Sequence, residues 1–159
     1  MYENNKMNSL ELLKKDLKHL DKIIQIYTED LLEADQVLKL SGKPIDVAVA
    51  EQSGWANYFH QKSVEVKYLK EYVQVLVDDT YGKLWIHYTQ KMDRMLVVKD
   101  KDHYIKHHAE YLAIIEPYLK ISELYDQFSR VNDSFTARGY SLNNLTRLLV
   151  AQCNDWTIS

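Results

Sequence analysis

Leu10, Leu13, Leu17, Leu20, Ile24, Tyr27, Leu31, Ala34 and Leu38 follow one another at spacings of 3-4-3-4-3-4-3-4. An α-helix places residues three and four apart on one face, so this run draws a single narrow apolar stripe. A helix seated on a globular core usually shows a broader face, whereas a two-position stripe is the mark of a coiled-coil seam. At 1.5 Å per residue a continuous helix from Leu10 to Leu38 is about 42 Å long. A rod of that length is expected to need a second helix, from this chain or another copy, to cover its edge.

Breakers are scarce. Four glycines and two prolines in 159 residues leave too few tight turns for a sandwich or barrel, so the fold class expected is all-α. The Ser41-Gly42-Lys43-Pro44 segment reads as a stop and restart, with Gly42 in the left-handed conformation and Pro44 opening the next helix. A second long helix is expected from about Ile45 to Val98, and a turn at Lys99-Asp100-Lys101-Asp102. A third helix is expected from about His103 to Arg138, with Pro117 inside it. Beyond the proline, Ile121, Leu124, Phe128, Val131 and Phe135 repeat at 3-4-3-4. Arg138-Gly139 reads as a helix end with a glycine cap, and Ser141 as the cap of a short last helix bearing Leu142, Leu145, Leu148 and Leu149. Long helices of coiled-coil character plus a short C-terminal helix are thus expected to build an oligomeric helical assembly. The division expected is 1–41 as an N-terminal coiled-coil helix and 42–159 as a second helical domain.

The chemistry in the sequence is sparse. Phosphate-cradling glycine loops, the nucleophile-elbow pattern and the zinc-protease helix motif are all missing. Cys153 is the only cysteine, which excludes an internal disulfide and fits a reducing compartment. It reads as a small packing residue. Asp78 and Asp79 are sequence neighbours that point apart on a helix, so they form no carboxylate dyad. His103 and His107 have the i, i+4 spacing metal ligands use, with His108 adjacent, but no cysteine or acidic third ligand completes a set. They read as solvent-facing, and neither metal nor cofactor is expected. The polar opening segment lacks a signal-peptide core, and no apolar run is long enough to span a membrane, so a cytoplasmic, non-enzymatic protein is expected.

One stretch departs from the average. The whole chain carries a net charge of −3, yet Tyr81 to His108 holds Lys83, Lys91, Arg94, Lys99, Lys101 and Lys106 against Asp93, Asp100 and Asp102. Four of the six histidines fall there too, beside Tyr81, Trp85, Tyr88 and Tyr104. Cations that track phosphates, interleaved with rings that stack on unpaired bases, are what single-stranded nucleic acid requires. The competing reading puts Trp85 and Tyr88 in the core and the lysines on a solvated surface. In a ring of chains, a +3 segment repeats into a continuous positive track, which lets a chain of negative net charge hold a polyanion.

The segment from Tyr125 to Leu145, with its Arg138-Gly139-Tyr140 step before a leucine-bearing stretch, resembles the end of the UvsY-type recombination mediators of tailed phages. The stretch Ala50-Glu51-Gln52-Ser53-Gly54-Trp55-Ala56-Asn57-Tyr58-Phe59 is similar to that family's alanine-rich entry into a long helix. The resemblance covers roughly residues 45 to 150 and leaves the leading stripe unmatched. It implies a helical, non-catalytic protein that forms rings of six or seven chains and binds single-stranded DNA. It further implies help in loading a RecA-like recombinase onto DNA coated by single-strand-binding protein. The family's basic-hydrophobic DNA-binding stretch has its nearest counterpart at Lys83-Leu84-Trp85 and Tyr88, with Lys91 and Arg94 following. Assembly is expected through Leu13, Leu17 and Ile24 of the stripe and through Phe128, Phe135, Arg138, Gly139 and Tyr140. The alternative function is a helical scaffold or adaptor that binds only protein partners.

Overall fold

A computed structural model of the chain describes residues 9–90 and 97–155, with side chains through residue 152. These residues form five α-helices and no strand: α1 (Ser9–Lys15), α2 (Leu20–Leu38), α3 (Ile45–Gln90), α4 (Val98–Lys106) and α5 (Ala109–Asp155). The all-α class read from the scarcity of breakers is the class observed.

The expected first helix is interrupted. Asp16 leaves helical geometry at φ −159° and ψ 128°, and its carboxylate accepts a hydrogen bond from the Lys18 backbone N–H. A three-residue 3-10 turn, Leu17–His19, follows before α2 begins. Aspartate offers the backbone a short side-chain acceptor, which competes with helix continuation and suits a cap. Farther on, Gly42 adopts φ 79°, as its position after the stripe requires. The Ala48 N–H then reaches back to the Pro44 carbonyl at 3.0 Å to start α3.

Two other boundaries differ from expectation. The Lys99–Asp102 stretch is not a turn but the body of α4. Ile105, fully buried, anchors this helix, and Lys106 pairs with Asp102 one turn back at 2.7 Å. Polar residues alone give no periodic signal, so a helix held by one buried isoleucine and its neighbours is invisible in the pattern. The Arg138-Gly139 step is not a helix end either. α5 runs through it, and the Ser141 hydroxyl donates to the Ala137 carbonyl in mid-helix instead of capping a new helix. Gly139 therefore does not need positive φ. A Cβ there would lie 3.2 Å from the Gln52 Nε2, so its lack of a side chain lets α3 approach closely.

The described residues cluster into two compact units, each drawn from separate stretches of chain. Unit 1 takes residues up to Ile24 and Glu65–Tyr125; unit 2 takes Gln25–Val64 and residues from Asp126 onward. In unit 1 the core is aliphatic: Leu13, Leu20, Ile23, Val66, Leu69, Val73, Val77, Leu84, Ile105, Ile114, Ile121 and Leu124 are buried. In unit 2 it is aromatic. Phe59 stacks on Phe135 at 5.1 Å, Tyr58 meets Phe59 edge-on at 5.1 Å, and Tyr27 meets Phe128 edge-on at 5.9 Å.

The leading stripe is covered in part within one chain. Leu13, Leu20, Tyr27 and Ala34 are each no more than 3% exposed. Leu10, Leu17, Ile24, Leu31 and Leu38, which alternate with them, are half-buried. The break at Asp16 shortens the rod, and the two units each take one part of it, so no segment needs a partner of the rod's full length.

Candidate nucleic-acid interface

The aromatic and basic residues singled out between Tyr81 and His108 meet on unit 1, where the end of α3, α4 and the start of α5 come together. Tyr81 and Trp85 are one helical turn apart on α3 and stack at 6.1 Å, with ring planes 24° apart. Lys101 of α4 sits with its Nζ 5.3 Å from the Trp85 ring centre, and that ammonium also donates to the Thr89 hydroxyl at 3.1 Å. Next along α3, Tyr88 stacks on Tyr104 of α4 at 5.8 Å. His87 and His108 both meet Tyr88 edge-on, at 5.3 and 6.1 Å. His103 and His107 bring their rings to 4.3 Å.

A hydrogen bond fastens this shelf of rings. The Tyr81 hydroxyl donates to Asp102 at 3.0 Å, joining α3 to α4. Lys106, hydrogen-bonded to the same carboxylate, holds Asp102 below the usual carboxylate range, and the Tyr81 hydroxyl adds to this. Burial is the largest reason the Tyr81 phenol is raised, followed by its hydrogen bond to Asp102. Both shifts favour the state in which tyrosine donates and aspartate accepts.

Of the residues expected to contact DNA, Trp85 and Tyr88 are half-buried and Lys83 is exposed. The rings fit neither a core nor a free-surface role. Leu84 fills the core position, and each ring stacks on a neighbour. Lys83 forms an i, i+4 ion pair with Asp79, which offsets its charge. Lys91 and Arg94 lie outside the described residues. Tyr104, 45% exposed, belongs to the shelf. In the sequence it stands among the rings of the basic stretch, though not among the residues expected to contact DNA.

The residues expected to join chains sit mostly inside one chain. Leu13, Phe128, Phe135 and Arg138 are buried, and Leu17, Ile24 and Gly139 are half-buried. Tyr140 is 69% exposed. Arg138 donates to the Gln52 Oε1, and Gln52 in turn donates to the Phe135 carbonyl at 2.7 Å. The Arg138 Nε and Nη2 find no acceptor among the described residues. Farther along α5, Leu145, Leu148, Leu149 and Val150 are exposed.

Unit 2 has an open groove of about 200 Å³ between α3 and α5, lined by Gln52, Ala56, His60, Asn132, Phe135 and Thr136. Its one titratable side chain is His60. No group of three or more metal-ligating side chains occurs among the described residues. No helix among them is long and apolar enough to cross a membrane.

No protein-family description matches the chain. No curated protein and no solved structure matches it.

Proposed function

We propose that the protein is a non-enzymatic recombination mediator that binds single-stranded DNA as a homo-oligomer. In this reading it helps load a RecA-like recombinase onto DNA held by single-strand-binding protein, in the host cytoplasm if phage-encoded. The reading rests on the resemblance over residues 45 to 150, and one structural observation carries it: the shelf of stacked rings on unit 1. Tyr104 keeps nearly half its surface open while Tyr88 fixes its orientation. A ring already held in place loses little freedom when a base stacks on it. Each such stack contributes about 1–3 kcal/mol and is indifferent to base identity. The test is anisotropy of a labelled oligo-dT against salt. Binding that weakens steeply with salt supports the reading, and no binding at low salt rejects it.

A specific observation also favours the scaffold alternative. The exposed row Leu145, Leu148, Leu149 and Val150 suits a protein partner, since water-exposed apolar rows mark interaction surfaces. Mass in solution, with and without oligonucleotide, separates the two. An assembly of six or seven chains that ignores DNA points to the scaffold.

A further inference from the structure

Formal charge on the shelf nearly vanishes when its histidines are neutral. Between Asp79 and Glu110 the chain holds six basic residues (Lys83, Lys91, Arg94, Lys99, Lys101, Lys106) against five acids (Asp79, Asp93, Asp100, Asp102, Glu110), a net of +1. Two of the lysines are tied to acids, Lys83 to Asp79 and Lys106 to Asp102. A surface of that kind attracts phosphate weakly, whereas the same surface with charged imidazoles attracts it strongly.

The hydrogen bonds decide which imidazole matters. The His107 Nδ1 lies 2.8 Å from the His103 carbonyl oxygen. A carbonyl oxygen only accepts, so His107 Nδ1 carries the hydrogen. In the neutral ring Nε2 is then a bare lone pair, which repels a phosphate oxygen. Protonation turns that same atom into a charged donor without breaking the bond at Nδ1. His108 behaves oppositely. Its Nδ1 accepts from the Glu110 backbone N–H at 3.3 Å, so its Nε2 already carries a hydrogen when neutral, and a second proton would disrupt the bond. His103, exposed beside His107 at 4.3 Å between ring centres, shares the site. Two protons on rings this close repel each other, and a bound phosphate relieves that repulsion.

We propose that His103 and His107 form a proton-gated phosphate contact at the edge of the Tyr88–Tyr104 stack. Resting on the DNA-binding reading above, this assigns the contact to imidazolium as well as lysine. The ligand is a phosphodiester backbone, and affinity is coupled to proton uptake.

The experiment measures oligo-dT affinity by anisotropy at fixed ionic strength from pH 8 to pH 6, with a salt series at each pH. Wild type is expected to bind about tenfold tighter at pH 6. Its logarithmic salt slope should steepen by about 0.7 for each further phosphate neutralised on a single strand. The double variant His103→Gln/His107→Gln, substituted at exposed positions, is expected to lose most of the rise. It retains His19, His60, His87 and His108, so it also measures the general effect of protonating the protein. His108→Gln is expected to keep the rise. Binding that is flat in pH, or a double variant that rises as much as wild type, overturns the proposal and leaves the DNA-binding reading intact. Absence of binding at every pH overturns both.

Discussion

In unit 2 the Phe59 and Phe135 rings stack at 5.1 Å with neither more than 1% exposed, whereas in unit 1 Tyr88 and Tyr104 stack at 5.8 Å with Tyr104 almost half open. The pairings are geometrically alike, yet their surroundings differ. Around Phe59 stand Trp55 and Tyr58; the Lys62–Asp30 ion pair lies against Tyr58, and Gln52 holds Arg138. Around Tyr88 and Tyr104 stand the imidazoles of His87, His108 and His103, with His107 against His103. A buried stack contributes area removed from water, while a half-open stack leaves its free face for a ligand. On this contrast, unit 2's rings hold the protein together, and unit 1's half-open rings are the ones the proposed DNA binding would use.

The largest expected effect tests the buried side. Phe59→Ala should destabilise by about 3–5 kcal/mol, the usual result of emptying a phenylalanine site in a packed core. Tyr104→Ala should change stability by no more than about 1 kcal/mol, as surface substitutions do. Urea midpoints of the two variants check this, and comparable losses would erase the distinction between the stacks. Next in size, Tyr104→Ala should weaken oligo-dT binding by about 1–3 kcal/mol. Phe59→Ala, measured below its unfolding transition, should leave the affinity unchanged. Equal affinity for wild type and Tyr104→Ala would move the binding site off the shelf.

A smaller effect sharpens the comparison within unit 2. Gly54 lies in α3 with no atom within 4 Å of where a Cβ would be. Gly54→Ala should therefore recover helix propensity in full, stabilising by about 1 kcal/mol. Gly139→Ala should stabilise less, because the new methyl lies 3.2 Å from an amide held by both Phe135 and Arg138. Thermal midpoints that rise equally would mean the Gln52 amide yields freely.

Much of this arrangement is legible in the residues alone. The periodic apolar positions locate α2 and α5, and Gly42 with Pro44 marks the one turn that needs positive φ. What escapes the pattern is decided by contacts between distant residues. α4 is a helix because Ile105 is buried and because Tyr81 and Lys106 converge on Asp102, none of which shows in the string Lys-Asp-Lys-Asp. Arg138-Gly139 resembles a helix end because arginine and glycine are common there. Gln52, 86 positions earlier, takes up the arginine and fills the space the glycine leaves. The candidate site is half visible: its rings and lysines stand out by composition. Their stacking, and the donor and acceptor roles of His107 and His108, depend on the folded geometry.

The smallest expected effect concerns the carboxylate that fastens α4 to α3. Lys106 and the Tyr81 hydroxyl hold Asp102 below the ordinary carboxylate range. A group depressed in the folded state contributes stability above its unfolded value and loses it as pH falls through the folded one. The contribution should thus be present at neutral pH and vanish in acid, below the usual range near 4. Asp102→Asn keeps an acceptor for Tyr81 but lacks the charge, much as a protonated aspartate does. Its thermal midpoint should lie slightly below wild type at pH 7, since exposed pairs contribute modestly, and the gap should narrow as pH falls below the usual carboxylate range. A gap that persists in acid would mean that shape, not charge, secures α4 against α3.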